Sequence, residues 1–583
     1  IFPDIVPSIL KWMCKGDHWL HNMDSSKRDV FCNLCKSQYE FEPDHKNIKA
    51  IAEKLGGQKN SWKYVWQLYA AAPHKYPEIE PLLRLAKPAD LGSGLFAIPE
   101  ESWPQVNEER EEYLLKGLSK AAKLDHPTAI NLLQELETSH GLRRSWVWSE
   151  LGKAPLAQAL HYLHKMANLC KESYSTVSIE AIKDYYATKG FAVDQYMRLA
   201  LASVKAEKDK KVVKSIIQLF YRPWLENITF RFQELCKKDA SFITSRQISK
   251  EGESYVLFVD AFRYELAEAF YQVLLKYGYK VILQAEWAAI PTLTPTSKPN
   301  VSPIASLVST QSGITEFRPQ LKTGKDLITS AFRDTLASVD FKYVTSDCDI
   351  KSDERYWHEI GDIDTKGHEE QADVVKRIDE LFEQVHEIID TIFEKGIKRI
   401  KIVTDHGWLL LPGGLPKTEL NAGLTETRWG RCALIKEGAQ TDLLHLPWRW
   451  NPDIYIAYAP GISFFKANQE YAHGGLSVHE CLVPTIIVEN INIKNITAEI
   501  KLVHWVNLKC SVETTELPEG YLVDIRTKYN DSKTSIVLSK SKSVKENAIS
   551  LMVDDTAENQ AATIVLMDEN ERILDKKPTT VGG

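Results

Sequence analysis

Cysteine is scarce in this chain, with nine residues in 583. They are too few and too scattered to staple a disulfide scaffold, which excludes the small secreted modules built on one. Also missing is any uninterrupted apolar run long enough to span a bilayer, and nothing near the start reads as a secretory leader. These absences predict a cytoplasmic protein with no membrane segment. There is no excess of positive charge either. Lys and Arg number 72 against 79 Asp and Glu, a formal net charge of −7. Nothing therefore draws a polyanion to the molecule as a whole, and contact with nucleic acid must come from local patches. The chain begins at Ile1 without a methionine, which predicts a fragment or a processed form. What is present is ordinary for a globular protein: 44% hydrophobic and 26% charged residues. A chain of this length holds roughly two to four domains and buries an ample core.

One cysteine arrangement is worth weighing. Cys32 and Cys35 form a C-x-x-C pair with Cys14 and His18 upstream, a set able to hold a structural zinc. However, Asp29 to Glu42 reads as a helix followed by an aromatic loop, and the histidine lies N-terminal to the pair. Buried thiols on a helix are the favoured reading.

Three regions follow from the periodicity. Residues 1–248 are helical throughout, as in Tyr113 to Lys123, Thr128 to Ser139 and Pro155 to Lys171, with breaks such as Gly56-Gly57. This predicts an all-α region. The charged stretch Lys205 to Lys214 reads as a solvated helix face. Over residues 249–490 strand-like runs alternate with helical ones: Tyr255–Val259, Phe262–Tyr277, Lys280–Ala285, Gln371–Lys395, Arg399–Thr404, Ile454–Ala459 and Thr485–Val488. That alternation predicts a layered α/β sheet. Within it, Thr365 to Gly396 reads as the longest helix, with the glycine suited to its end. Gly413 to Asn451, rich in Gly, Pro and Arg, reads as an active-site loop or cap. In residues 491–583 short alternating runs (Glu499–Val503, Tyr521–Arg526, Ser535–Leu538, Ile549–Val553, Ala562–Met567) predict an antiparallel β-sandwich.

The chemistry is carried by the ends of two apolar runs. Ile402-Val403-Thr404 stops at Asp405-His406-Gly407, and Tyr255 to Val259 stops at Asp260. In parallel sheets ligands gather at the carboxyl ends of strands. Downstream come the hydroxyls of Pro291-Thr292-Leu293-Thr294-Pro295, then Asp364 and His368 in Asp-Thr-Lys-Gly-His, then His473-Gly474-Gly475. Asp364 and His368 at i and i+4 share a face if a helix begins by Asp364. Carboxylates with neutral imidazoles suit Zn²⁺ or Mn²⁺ better than Ca²⁺ or Mg²⁺. Such a set suffices for two ions about 4 Å apart, the arrangement that clamps both oxygens of a phosphoryl transfer. The run Thr292, Thr294, Thr296 leaves the choice of hydroxyl open, and His479 competes with His473.

That ordered set resembles the alkaline phosphatase superfamily: an early strand-end Asp, a Thr or Ser nucleophile, Asp-x-x-Gly-His, Asp-His, and a late His-Gly. Within it the chain is similar to the PglZ family of bacterial BREX phage-defence systems. That closer likeness rests on Val259-Asp260-Ala261-Phe262-Arg263-Tyr264-Glu265-Leu266, Thr427-Arg428-Trp429-Gly430-Arg431-Cys432, His473-Gly474-Gly475-Leu476-Ser477 through Val483-Pro484, and Thr580-Val581-Gly582-Gly583. It covers residues 250 to 583 well and the first 250 only loosely.

The resemblance implies an alkaline-phosphatase-like core and two divalent ions, Zn²⁺ or Mn²⁺. One ion would be held by Asp260, Thr294, Asp405 and His406, the other by Asp364, His368 and His473. It implies Thr294 as the nucleophile, forming a phosphothreonine that water then cleaves. Activity would be that of a phosphodiesterase or nuclease on DNA, with other BREX proteins as partners; the oligomeric state stays open. The alternatives are a catalytically weak scaffold of the defence complex and a phosphomonoesterase or mutase. Arg263, Lys298, Arg428 and Arg431 are candidates for substrate phosphate, with ordinary ion pairing as the competing reading.

Overall fold

The computed structural model describes residues 5–582 apart from 93–96, 242–253, 346–348, 422, 426–428, 467–468, 491–497, 518–519, 539–541, 545–546, 554–556, 569–570 and 572. Among the described residues, helices account for the regular structure up to Lys238, including Pro104–Ala121, His126–His140 and Pro155–Cys170. His126–His140 begins two residues before the expected Thr128: Asp125 accepts from the Thr128 amide and a proline occupies the first turn. The longest helix among the described residues is Glu207–Lys238, of 32 residues. The expected single helix from Thr365 to Gly396 is broken instead into Ile363–Glu370, a 3-10 stretch Gln371–Arg377, and Ile378–Glu394. Gln371 sits at φ 54°, and its side-chain carbonyl accepts from the Glu470 and Tyr471 amides at 2.8 and 3.1 Å. Those tertiary bonds outweigh helix propensity. Gly396, at φ 86°, does end the last piece.

The central sheet has six strands: β1 (Tyr255–Val259), β2 (Lys280–Trp287), β3 (Phe341–Tyr343), β4 (Arg355–Ile360), β5 (Arg399–Val403) and β6 (Leu482–Glu489). Their order is β2-β6-β5-β1-β4-β3. β1 pairs in parallel with β4 and β5, and β3 with β4, while β6 runs antiparallel to both β5 and β2. The chain is thus mixed α/β, with a mixed sheet at its centre. β1 is buried along its whole length, as its unbroken Tyr-Val-Leu-Phe-Val run requires of a strand covered on both faces.

Gly413 to Asn451, expected as a loop or cap, is among the described residues irregular up to Gly423 but carries short strands beyond it. Leu424–Thr425, Cys432–Ile435 and His445–Trp448 join Asn451–Tyr458 in a four-stranded antiparallel sheet. Strands of two to four residues are too short for alternation to register in sequence. Towards the C-terminus, Ile500–Val506, Lys509–Thr514 and Ala548–Met552 form one antiparallel sheet. Leu522–Arg526, Ala561–Met567, Ile573–Thr580 and Lys542–Ser543 form another. Both contribute to one apolar core, through Cys510, Val512 and Leu551 on one side and Val523, Ile525 and Ile564 on the other. The Ser535–Leu538 run supplies only isolated bridges, from Ser535 to Arg526 and from Val537 to Val553.

The apolar core does not divide at residue 248. One continuous cluster runs from Leu114, through the buried face of Glu207–Lys238, into β1, β5 and β6. A second cluster belongs to Ile5 through Val106 with Val147 and Trp148. Cys35 is buried there on the helix Ser25–Tyr39, with Cys14 and Cys32 half-buried. Burial pushes the thiols of Cys14, Cys32 and Cys35 up, as inert packing thiols require. Among the described residues no helix is long and apolar enough to cross a membrane.

Candidate metal centre

The strand directions explain why distant residues meet. β4, β1 and β5 lie side by side and point the same way, so their carboxyl ends share one edge of the sheet. Asp260 follows β1, Asp364 lies just past β4, and Asp405 and His406 follow β5. β6 runs the other way, so its start comes to that edge, with Leu482 opposite Trp287 of β2. This delivers the 473–481 segment from one side and residues 288–294 from the other. A ligand crevice outside the carboxyl ends of parallel strands is the general rule for such sheets.

Two groups of three side chains present donors within 4.8 Å of one another: Asp260, Asp405 and His406, and Asp364, His406 and His473. His368 joins the second group. Its Nε2 lies 3.1 Å from His473 Nε2 and 3.6 Å from Asp364 Oδ1, and His473 Nε2 is 3.1 Å from that same oxygen. Four donors at tetrahedral zinc distances of about 2.0–2.1 Å stand about 3.3 Å apart, so these separations are short enough for the three side chains to share one ion. Asp364 and His368 do share a face, on the helix Ile363–Glu370. The Thr294 hydroxyl lies 3.3 Å from His406 Nε2. The structure thus brings together all seven donors expected from the sequence.

The rival residues point elsewhere. Thr292 Oγ1 donates to the Gly475 carbonyl and accepts from the Gly474 amide. Thr296 Oγ1 donates to the Phe317 carbonyl and accepts from Trp448. His479 faces Asp194, at 3.2 Å.

The ring orientations are fixed from behind. His406 Nδ1 is 3.0 Å from the Gly407 carbonyl and His473 Nδ1 is 3.0 Å from the Thr292 carbonyl. A carbonyl only accepts, so each neutral ring carries its proton on Nδ1 and leaves Nε2 bare toward the cluster. The two rings stack at 4.2 Å. Gly407 is required: a Cβ there would sit 2.1 Å from the His479 carbonyl oxygen. Ala261, next to Asp260, is held at φ 51°, a left-handed conformation that costs an L-residue about 1–2 kcal/mol. Its amide donates to Asp405 Oδ1 at 3.3 Å and its carbonyl accepts from Trp408 Nε1 at 3.0 Å.

The electrostatics are those of a site built for positive charge. Burial, then the neighbouring Asp405 carboxylate, push Asp260 well above the usual carboxylate range. Burial disfavours the His406 imidazolium, yet Asp405, Asp364 and Asp260 together outweigh it and raise its pKa. Burial pushes His473 down to about 4, against the pull of Asp364. Asp260 Oδ1 and Asp405 Oδ2 are buried without a hydrogen-bond partner. Orphaned carboxylate oxygens in a buried cluster are costly unless a cation meets them, and the mixed N/O donor set fits a divalent ion of zinc type. His368, with its side chain 40% exposed, and the half-buried Thr294 mark the open side.

The expected phosphate-binding cations fare differently. Arg431 is fully buried, paired through Nη2 with Glu480 at 2.9 Å, and donates to the Gly461 and Ser463 carbonyls. Arg263 is equally buried, with Nη2 2.8 Å from Asp194 and its guanidinium over the Trp408 ring. Both assignments are corrected: these charges are already neutralised and lie out of reach of a substrate. Lys298 is half-buried and bonded to Glu359 at 2.5 Å. Arg428 lies outside the described residues.

Tyr471 stands outside every motif of the sequence. Its hydroxyl donates to Asp364 Oδ1 at 3.1 Å and its ring edges onto His368. Gly367 makes room for it, since a Cβ there would lie 2.4 Å from the Tyr471 ring. That explains the glycine of Asp-x-x-Gly-His. Glu480, too, is not among the site residues that the sequence predicts; it binds Arg431, the Gly475 amide and Ser477 together. Neither residue belongs to a spacing that sequence alone makes conspicuous. No protein-family model matches the chain, and no curated protein matches it.

Proposed function

We propose that this chain is a metal-dependent phosphoryl-transfer hydrolase with Thr294 as its nucleophile. The observation that carries this is the Thr294 hydroxyl, which alone of Thr292, Thr294 and Thr296 faces the converging Asp and His donors. Asp260, Asp405, His406 and Thr294 would hold one divalent ion, Zn²⁺ or Mn²⁺, and Asp364, His368 and His473 the other. Bound there, such ions supply Lewis acidity toward phosphate oxygens and lower the pKa of a coordinated hydroxyl. Thr294 Oγ1 gives up its proton to solvent and attacks phosphorus; the bond to the leaving oxygen breaks, and that oxygen takes a proton from solvent and departs as the alcohol. Water then cleaves the phosphothreonine and restores the hydroxyl. Gly407 and Thr292 hold the two histidine rings in place through their carbonyls, and Tyr471 orients Asp364.

A diester substrate, DNA as the natural one, and a place beside other proteins of a BREX defence complex come from the resemblance to the PglZ family. One observation favours a second reading, a smaller phosphoester. A groove of about 700 Å³ on the 361–387 segment, which also carries Asp364 and His368, is lined by Asp362, Glu380, Glu383 and Glu387 against Lys366 and Arg377. An acidic wall repels a polyanion. The test is release of nitrophenol from bis-nitrophenyl phosphate and from nitrophenyl phosphate, with Zn²⁺, Mn²⁺ or a chelator present. The reading expects metal-dependent, chelator-sensitive turnover, faster on the diester. Faster turnover of the monoester moves the assignment to a phosphatase, and no turnover of either leaves the scaffold.

A further inference from the structure

Asp194, from the helical region, is buried without exposure, and four polar side chains converge on it. Tyr186 and Tyr221 donate their hydroxyls at 2.6 and 2.5 Å, Arg263 Nη2 lies at 2.8 Å and His479 Nε2 at 3.2 Å. The last two belong to the segments that carry the metal donors. Arg263 closes the turn that begins at Asp260, and its Nη1 donates to the carbonyl of Trp408, in the turn that holds Asp405 and His406. Trp408 closes the circle by donating to Ala261. His479 packs its carbonyl against Gly407, whose amide donates to the adjacent Glu480 carbonyl at 3.0 Å. A second buried pair, Arg198–Glu265 at 2.7 Å, crosses the same boundary.

We propose that Asp194 is a positioning residue for the metal centre, acting through Arg263 and His479 on the two turns that carry Asp260, Asp405 and His406. The helical region is on this account a working part of the site and not an appended module. A buried ionic cluster adds little stability over an apolar set of the same volume. What it adds is direction. Two hydroxyl donors hold the carboxylate, and the carboxylate in turn fixes where Arg263 lies over Trp408 and where His479 stands, and so where both turns stand. The inference rests on the two-metal reading for its ligand.

Zinc titration calorimetry on the full chain tests it. Asp194→Asn keeps the shape and removes the charge that Arg263 and His479 share. The expected result is zinc affinity weakened about 10–100-fold, the usual effect of losing an outer-shell partner, together with a shifted visible spectrum of the Co²⁺-loaded protein. Glu111→Gln breaks another ion pair of the helical region, between the buried Arg143 and the half-buried Glu111, that touches neither turn. It should cost stability and leave zinc affinity within about twofold of the parent. Should Asp194→Asn fail to fold, Asp194→Leu with Arg263→Met removes both charges at once; it should fold and still bind zinc about tenfold or more weakly. Parental affinity in either folded variant overturns the proposal, as does an equal loss in Glu111→Gln. A parent that takes up no zinc overturns the metal reading itself, and this inference with it.

Discussion

Three threonines stand at alternate positions from Thr292 to Thr296, and what separates them is where each hydroxyl is bonded. Thr294→Ala should lower phosphoester turnover by orders of magnitude in a steady-state assay, while Thr294→Ser, which keeps the oxygen, retains measurable activity. Thr292→Ala severs hydrogen bonds to Gly474 and Gly475 and should cost about 1–3 kcal/mol in urea unfolding, with a milder effect on turnover. Full activity in Thr294→Ala would move the nucleophile elsewhere. The sequence made the ligands legible because Asp and His at strand ends break an apolar run abruptly. It did not reveal Tyr471, Asp194 or Glu480, whose roles come from contacts across the fold. It misjudged Arg263 and Arg431, since an arginine in a motif looks the same whether its partner is a substrate or a buried carboxylate.

At the scale of elements, strands with unbroken apolar runs were readable: β1 falls at Tyr255–Val259 as expected, and β5 within one residue of its expected end. β4 was not, because Arg-Tyr-Trp-His-Glu-Ile has neither an apolar run nor clean alternation. The turns around the site leave little freedom. Gly367→Ala pushes a methyl group into the Tyr471 ring and should weaken zinc binding through Asp364, measured by competition with a chromophoric chelator. Unchanged affinity would show that Tyr471 does not orient that carboxylate. The helix His126–His140 gives a pH prediction. Burial, aided by Arg143, pushes His140 down to about 4 from an ordinary value of 6.5. Between those values the unfolded chain binds a proton that the folded one refuses, so stability is full above about pH 6.5 and lost as pH falls toward 4. Urea unfolding at a series of pH values should show this loss, and His140→Gln should flatten it.

For the whole molecule, the sequence suggested a boundary near residue 248, yet one core runs from the helices at 114–236 into the central sheet. Periodicity identifies each element and is silent on which elements share a core. The C-terminal sheets enclose a separate core. A chain ending at 490 should therefore fold and bind zinc, whereas one beginning at 249 should be insoluble or bind none, as judged by gel filtration and elemental analysis. The central claim is the pair of metal sites, and metal content after equilibrium dialysis tests it most directly. The account predicts about two zinc ions per parent chain. Loss of one is expected in Asp364→Ala, and of at least one in Asp405→Ala. A parent chain that holds no zinc after dialysis, or a double Asp364→Ala, Asp405→Ala variant that holds as much as the parent, would contradict it.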